Sequence, residues 1–167
     1  MTTRDRIVSA AAEVLRARGL ARATTKEIAK AAGLSEAALY KHFRDKTALF
    51  LAVLGERGPT NLGPVLARLP ERVGHHAVTD VLVEVAVAAT DFYEQGFPMA
   101  ASLFSEPSLL DAHRSALRAR GAGPQLVGRA LSDYLTAEQR LGRVGARVDP
   151  AAAASLLLGA CLERAFL

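Results

Sequence analysis

Between Thr24 and Asp45 the chain reads TTKEIAKAAGLSEAALYKHFRD, and three helix caps with one glycine stop leave room only for very short helices. Thr24 and Glu27 have the spacing of a capping box, in which each side chain satisfies a free backbone N–H of the other residue. The helix they open carries Ile28, Ala29 and Ala32 on one side and stops at Gly33. Glycine adopts positive φ at no steric cost, so the chain can reverse there within three residues. Ser35 caps the next helix, predicted over Glu36 to Phe43, where Leu39 and Phe43 lie four apart and share a face. Asp45 caps a further helix to about Arg57, with Leu49, Phe50, Val53 and Leu54 apolar. Upstream, Thr3 is the expected cap of a helix from Arg4 to Arg18, with Ile7, Ala11, Val14 and Leu15 as its stripe and Gly19 as its stop. Two short helices joined by a tight glycine turn describe a helix-turn-helix. Ala29 has to be small because the following helix crosses close above it.

Charge singles out the same segment. Residues 1–57 hold 11 Lys and Arg against 6 Asp and Glu, whereas residues 58–167 hold 10 against 11. A basic first third on a nearly neutral remainder points to a nucleic acid or another acidic surface as partner of that third. Ala37 and Ala38 are small enough to let a helix backbone lie deep in a major groove, beside Tyr40, Lys41 and His42.

The run TTKEIAKAAGLSEAALYKHFRDKTALF, Thr24 to Phe50, resembles the TetR family of bacterial transcriptional regulators. The likeness covers about residues 4–54. It rests on a threonine-rich cap, Ile-Ala, Ala-Gly-Leu-Ser, Leu-Tyr with a histidine before Phe43, and Lys46 with Leu49 three residues on. The resemblance implies phosphate contacts from Thr24, Thr25, Tyr40, His42 and Lys46. It implies groove contacts from Ser35, Glu36, Ala37 and Lys41. Leu34, Ala37 and Thr47 stand where valine, glycine and glutamate are commoner, and Glu36 is an acid where a base or small residue is usual. An acid close to phosphates costs affinity, but it can accept from cytosine N4, so Glu36 is expected to select a C·G pair.

The other two thirds read as helices separated by punctuation. Gly58 to Pro64 holds two glycines and two prolines, and residues 58–76 are expected to form a linker or kinked connection. A long helix is predicted from Ala77 to Gln95, ended by Gly96, with Val78, Val81, Leu82, Val85, Ala89 and Phe92 on its stripe. Short helices follow over Pro98–Phe104 and Ser108–Arg120, then Gln125–Arg140. Asp149-Pro150 opens a last helix to Leu167 with an N-cap and a proline at the first helical position. The predicted organisation is therefore all-α. Residues 1–57 form a three-helix DNA-binding domain, 58–76 a connection, and 77–167 a helical bundle for effector binding and dimerisation.

Large apolar groups gather around the Gly96-Pro98 break, and such breaks often border a cavity. TetR-like proteins bind an effector in one. The candidate lining is Phe92, Tyr93, Phe97, Met99, Leu103, Phe104, Leu126 and Tyr134, with Tyr93, Asp111, His113 and Tyr134 as polar contacts. Taken singly, each is better read as plain bundle core. The last helix is apolar nearly all round, which calls for burial on several sides, one of them a second subunit. The expected dimer face is Ala151, Ala154, Ser155, Leu158, Gly159 and Leu162. The helix pairing with it is residues 125–140, or lies beyond Leu167.

Several function classes recede. No Ser-His-Asp order, paired-carboxylate spacing or glycine-rich phosphate loop stands out beyond residue 64, so no enzyme activity and no cofactor are expected. His75-His76 lacks an acidic or cysteine partner at helical spacing and reads as a surface pair rather than a metal site. A single cysteine, Cys161, excludes an internal disulfide and fits a reducing compartment. No signal peptide and no run near the ~20 residues of a membrane span appear, so a cytoplasmic protein is expected. The reading is a ligand-responsive, homodimeric regulator, most simply a repressor released from double-stranded operator DNA by a small, largely apolar or amphipathic effector. The alternative is a helical small-molecule-binding protein or enzyme whose basic segment binds an acidic partner.

Overall fold

The computed structural model describes all residues of the chain except Met99, Ser102 and Ser105. The described residues form helices and turns, with no strand among them. The helices are α1 (Thr3–Arg22), α2 (Thr25–Ala31), α3 (Glu36–Tyr40), α4 (Lys46–Arg57), α5 (Leu62–Ala67), α6 (Leu69–Arg72), α7 (Val78–Ser105), α8 (Pro107–Ala119), α9 (Pro124–Arg140) and α10 (Pro150–Phe166). They fall into two compact units. Met1–Gly58 groups with Gly96–Ala116, and Pro59–Gln95 groups with Leu117–Leu167.

The first unit is built on α1. Ile7, Ala11 and Leu15 are buried as their spacing predicts, and so are Val8 and Ala12. They pack with Ile28 and Ala29 of α2, Leu39 of α3, Phe43, and Leu49, Phe50 and Val53 of α4. Leu103 and Leu109 join the same cluster, which accounts for burial over more of α1 than one stripe. The cap is Thr2 rather than Thr3. Thr2 Oγ1 accepts from the Asp5 N–H (3.1 Å) and Asp5 Oδ2 accepts from the Thr2 N–H (2.9 Å). Three residues after Thr3 stands Arg6, which has no acceptor to complete a box. Gly19 does break the helix, at φ 70°, but a further turn continues to Arg22 beyond the kink.

The second unit buries Leu62, Leu69, Val81, Val85, Ala88 and Ala89 against Leu131, Tyr134 and Leu135 of α9 and Ala154, Leu158 and Cys161 of α10. Two expectations are corrected. Residues 58–76 are not a bare connection, since they hold α5 and α6, each with a buried leucine. Pro64 is the third residue of α5, within the first turn, where an N–H has no intrahelical acceptor to lose. The predicted stop at Gly96 and restart at Pro98 are likewise absent, because α7 runs through both. Pro98 removes the bond to the Glu94 carbonyl, a local cost of ~3 kcal/mol. Packing at both ends offsets it, through Val85 and Ala89 in one core and Leu103 in the other.

Glu138 is fully buried in the second unit. Its Oε1 accepts from the Gly74 N–H (3.0 Å), and Oε2 lies 3.2 Å from Arg143 Nε. Arg143 Nη2 in turn donates to the His76 carbonyl. Gly74 has φ 77°, and a Cβ there would meet Leu141 Cδ1 at 3.2 Å. One carboxylate thus holds the turn before α7 against the end of α9. Burial first, and the Glu138 carboxylate second, push the Tyr134 phenol up to about 12. Glu138→Ala leaves the Gly74 N–H without its acceptor and the partly exposed Arg143 without its carboxylate. It is expected to lower unfolding free energy by ~1–3 kcal/mol in urea denaturation, and an unchanged value contradicts this anchoring role.

Candidate nucleic-acid interface

The interface is built from α2, the turn at Gly33, and α3. Thr24 caps α2 as predicted, accepting from the Glu27 N–H at 3.2 Å while Glu27 Oε2 accepts from the Thr24 N–H at 3.2 Å. Gly33 has φ 67°, and Arg6 Nη2 donates to the Ala32 carbonyl (2.7 Å) beside it. A Cβ at Gly33 would meet that same nitrogen at 3.2 Å. The glycine therefore serves both the reversal and the approach of α1.

α3 is shorter than predicted and ends at Tyr40 rather than Phe43. The His42 and Phe43 N–H groups both donate to the Leu39 carbonyl, at 3.0 and 3.1 Å, which tightens the last turn and carries Phe43 back to the core. Arg4 lies over the Phe43 ring, 5.3 Å from its centroid, and is paired at 2.6 Å with Glu56 of α4. With Leu39 and Phe43 buried, the outer side presents Ser35, Ala37, Tyr40, Lys41 and His42. Ser35 Oγ is engaged as a cap, accepting from the Ala38 N–H at 3.2 Å.

Four further candidates, Thr25, Glu36, Tyr40 and Lys46, carry internal duties. The Thr25 hydroxyl is bonded to Glu36 Oε1, and Thr25 Oγ1 lies 3.3 Å from the Tyr40 hydroxyl. Glu36, expected to read a cytosine, thus has one oxygen occupied within the protein. Lys46 donates to the Leu20 carbonyl at 2.6 Å, so one of its three protons ties α4 to the end of α1. Other cations are consumed too, Arg18 by Glu27 and Arg44 by Asp45. Arg16, Arg22, Lys26, Lys30 and Lys41 are exposed and have no ion pair or hydrogen bond among the described residues. Four of these, Arg16, Arg22, Lys26 and Lys30, are not among the candidates singled out from the sequence. The signal for them was the net charge of the segment, which does not say which cations remain unpaired.

The predicted effector pocket is not assembled as expected. Leu103 belongs to the core of the first unit, Phe104 is 73% exposed and Leu126 is 43% exposed. Tyr134 is core, and Phe92 and Tyr93 pack edge-to-face at 5.6 Å against the second core. Phe97 and His113 fall within residues grouped with the first unit, and Met99 lies outside the described residues. What the second unit does hold is an open groove of about 580 Å³ along α9 and α10. Its lining includes Tyr93, Gly128, Ser132, Ser155, Gly159 and Leu162. Of the predicted dimer face, Ala154 and Leu158 turn inward to the protomer's own core, whereas Ala151, Ser155, Gly159 and Leu162 are exposed. No group of three or more metal-ligating side chains occurs among the described residues, and no helix among them is long and apolar enough to cross a membrane.

Comparison with known proteins singles out the same N-terminal segment. Residues 7–53 match the family described as bacterial regulatory proteins, tetR family. Over 55 residues the chain is 46% identical to the HTH-type transcriptional regulator SrpR of Pseudomonas putida, a match covering 33% of this chain and 26% of that protein. The chain thus spans about a quarter of that curated relative's length. Over nearly the whole chain the fold matches Salmonella enterica GusR, with a TM-score of 0.70, 26% identity, and coverage of 98% and 81%. It also matches AibR, solved with isovaleryl coenzyme A and operator DNA, with a TM-score of 0.66, 20% identity, and coverage of 99% and 87%.

Hydrogen bonds from the capping threonines hold the carboxyls of Asp5 and Glu27 below the ordinary carboxylate range. A depressed folded-state pKa adds stability above the unfolded value and loses it as pH falls through the folded one. Acid unfolding of Glu27→Gln should accordingly show a shallower loss below about pH 4.5, from a lower starting stability at pH 7. An acid limb identical to wild type contradicts the capping assignment.

Proposed function

We propose that this chain, whose N-terminal domain is that of the tetR family of bacterial regulatory proteins, is a dimeric, ligand-responsive regulator that binds double-stranded DNA through α3 and the face around it. One observation carries the reading. A five-residue helix is pinned from behind by Leu39 and Phe43, while Lys41 on its outer side and the exposed cations Arg16, Arg22, Lys26 and Lys30 of α1 and α2 are left unpaired among the described residues. Such a helix contributes little to stability by itself. Its exposed side suits the major groove, where Ala37 permits close approach and Lys41 can reach base edges. Thr24, Tyr40 and His42, with Lys26 and Arg22, then flank the groove where phosphates pass.

The groove of α9 and α10 is assigned to a second copy of the chain. Gly128, Ser132, Ala151, Ser155 and Gly159 are small and let helices approach closely, while Leu162 gives apolar contact. A two-fold dimer would set two copies of α3 about one DNA turn apart, ~34–36 Å. The effector belongs to the second unit. The neighbour AibR, solved with isovaleryl coenzyme A and operator DNA, supports an amphipathic ligand. An effector that favours a different spacing of the two α3 helices weakens DNA binding and is weakened by DNA to the same extent, which makes the protein a repressor released by its effector.

Duplexes enriched from a random pool should bind with log K falling steeply against log salt, Lys26→Ala should lessen the slope by ~1, and Lys41→Ala should relax the sequence preference. If the wild type binds no duplex above its non-specific strength, the regulator reading is wrong. Gly159→Trp should convert a dimer to a monomer in sedimentation, and an unchanged mass removes the groove as the interface.

A further inference from the structure

Glu36, Thr25 and Tyr40 form a contact that the interface does not need for packing. Glu36 begins α3, Thr25 begins α2, and Tyr40 ends α3. Thr25 Oγ1 is within bonding distance of both Glu36 Oε1 and the Tyr40 hydroxyl, the second at 3.3 Å. An ionised carboxylate only accepts hydrogen bonds, so Thr25 must give its one proton to Glu36. The Thr25 oxygen is then left to accept, and the Tyr40 hydroxyl must donate to it. The direction of both bonds is dictated by the carboxylate at the end of the chain.

Phosphate diester oxygens accept and cannot donate. While Glu36 holds the Thr25 proton, Thr25 has none to offer a phosphate. Tyr40, 47% exposed, can offer its own only by giving up Thr25. We propose that Glu36 is a positioning residue which, acting through Thr25, withholds the Thr25 and Tyr40 protons from the DNA backbone, rather than a residue that reads a base. This rests on the DNA-binding role proposed above for α3. It explains why an acid is tolerated on a face otherwise suited to phosphates. Its charge is spent on a hydroxyl inside the protein, and backbone binding is held down at this point regardless of sequence.

The relay is tested without DNA by the Tyr40 ring carbon signals of the whole chain, labelled on its three tyrosines and assigned with Tyr40→Phe. Glu36→Ala should move the Tyr40 signal, and Glu36→Gln, whose amide oxygen still accepts, should leave it near wild type. In a Thr25→Val background Glu36→Ala should move nothing. An equal shift in that background, or no shift in either, overturns the relay. On duplexes enriched from a random pool by the wild type, Glu36→Ala should bind roughly three- to tenfold tighter, the worth of one hydrogen bond, with the same sequence preference. Loss of preference at one base pair, or weaker binding, overturns the proposal in favour of base reading. A wild type that enriches no sequence overturns the regulator reading itself, while the tyrosine measurement still judges the relay on its own.

Discussion

The first unit depends on the burial of Leu39 and Phe43 from a helix too short to stand alone. Leu39 is wholly inaccessible, and Phe43 is covered on its outer side by the Arg4 guanidinium. Everything the exposed side of α3 offers is positioned by that contact. The reversal at Gly33 makes it possible, and Arg6 occupies the space a side chain there would need. Positive φ and close approach coincide at one residue, so alanine would be penalised twice.

The same economy governs charge. The first 57 residues carry a surplus of cations, but much of it is used for assembly. Arg4 joins α1 to α4, Arg6 caps the end of α2, Arg18 pairs with Glu27, and Lys46 ties α4 to Leu20. The two ion pairs among them, Arg4–Glu56 and Arg18–Glu27, are solvent-accessible and worth ~0.2–1 kcal/mol each, so their effect on stability is modest. Their effect on the surface is larger, because they leave a smaller and more defined set of free cations around α2 and α3. The second unit uses charge differently. Glu138 is fully buried, and it ties the turn before α7 to the end of α9 through the Gly74 N–H and Arg143.

Much of the fold was legible because caps and breakers act locally. Thr24 with Glu27, Ser35, Asp45 and Asp149 each mark a helix start, and each accepts the backbone N–H bond that its position implies. Breakers were less reliable where packing outweighed them. Pro98 and Gly96 lie inside α7, and Gly63 and Pro64 inside α5. Local cost alone would end a helix at Pro98, and burial of the residues around it decides otherwise, whereas Pro64 lies in the first turn of α5 and costs no intrahelical bond. The aromatic residues near Pro98 were grouped as one pocket lining because they are close in sequence. The continuous helix instead places Leu103 in one core and leaves Phe104 facing out.

The sequence by itself determined the helical class, the positions of most helix starts, the reversal at Gly33 and the basic character of the N-terminal unit, because each follows from interactions within a few residues. Tertiary structure alone decided which cations stay free and which face of α10 looks outward. It also decided that Glu36 meets Thr25 and that Glu138 meets Gly74. Those pairings join residues 11 and 64 positions apart. Their energy comes from burial and from hydrogen bonds closed across the fold, which no local pattern encodes.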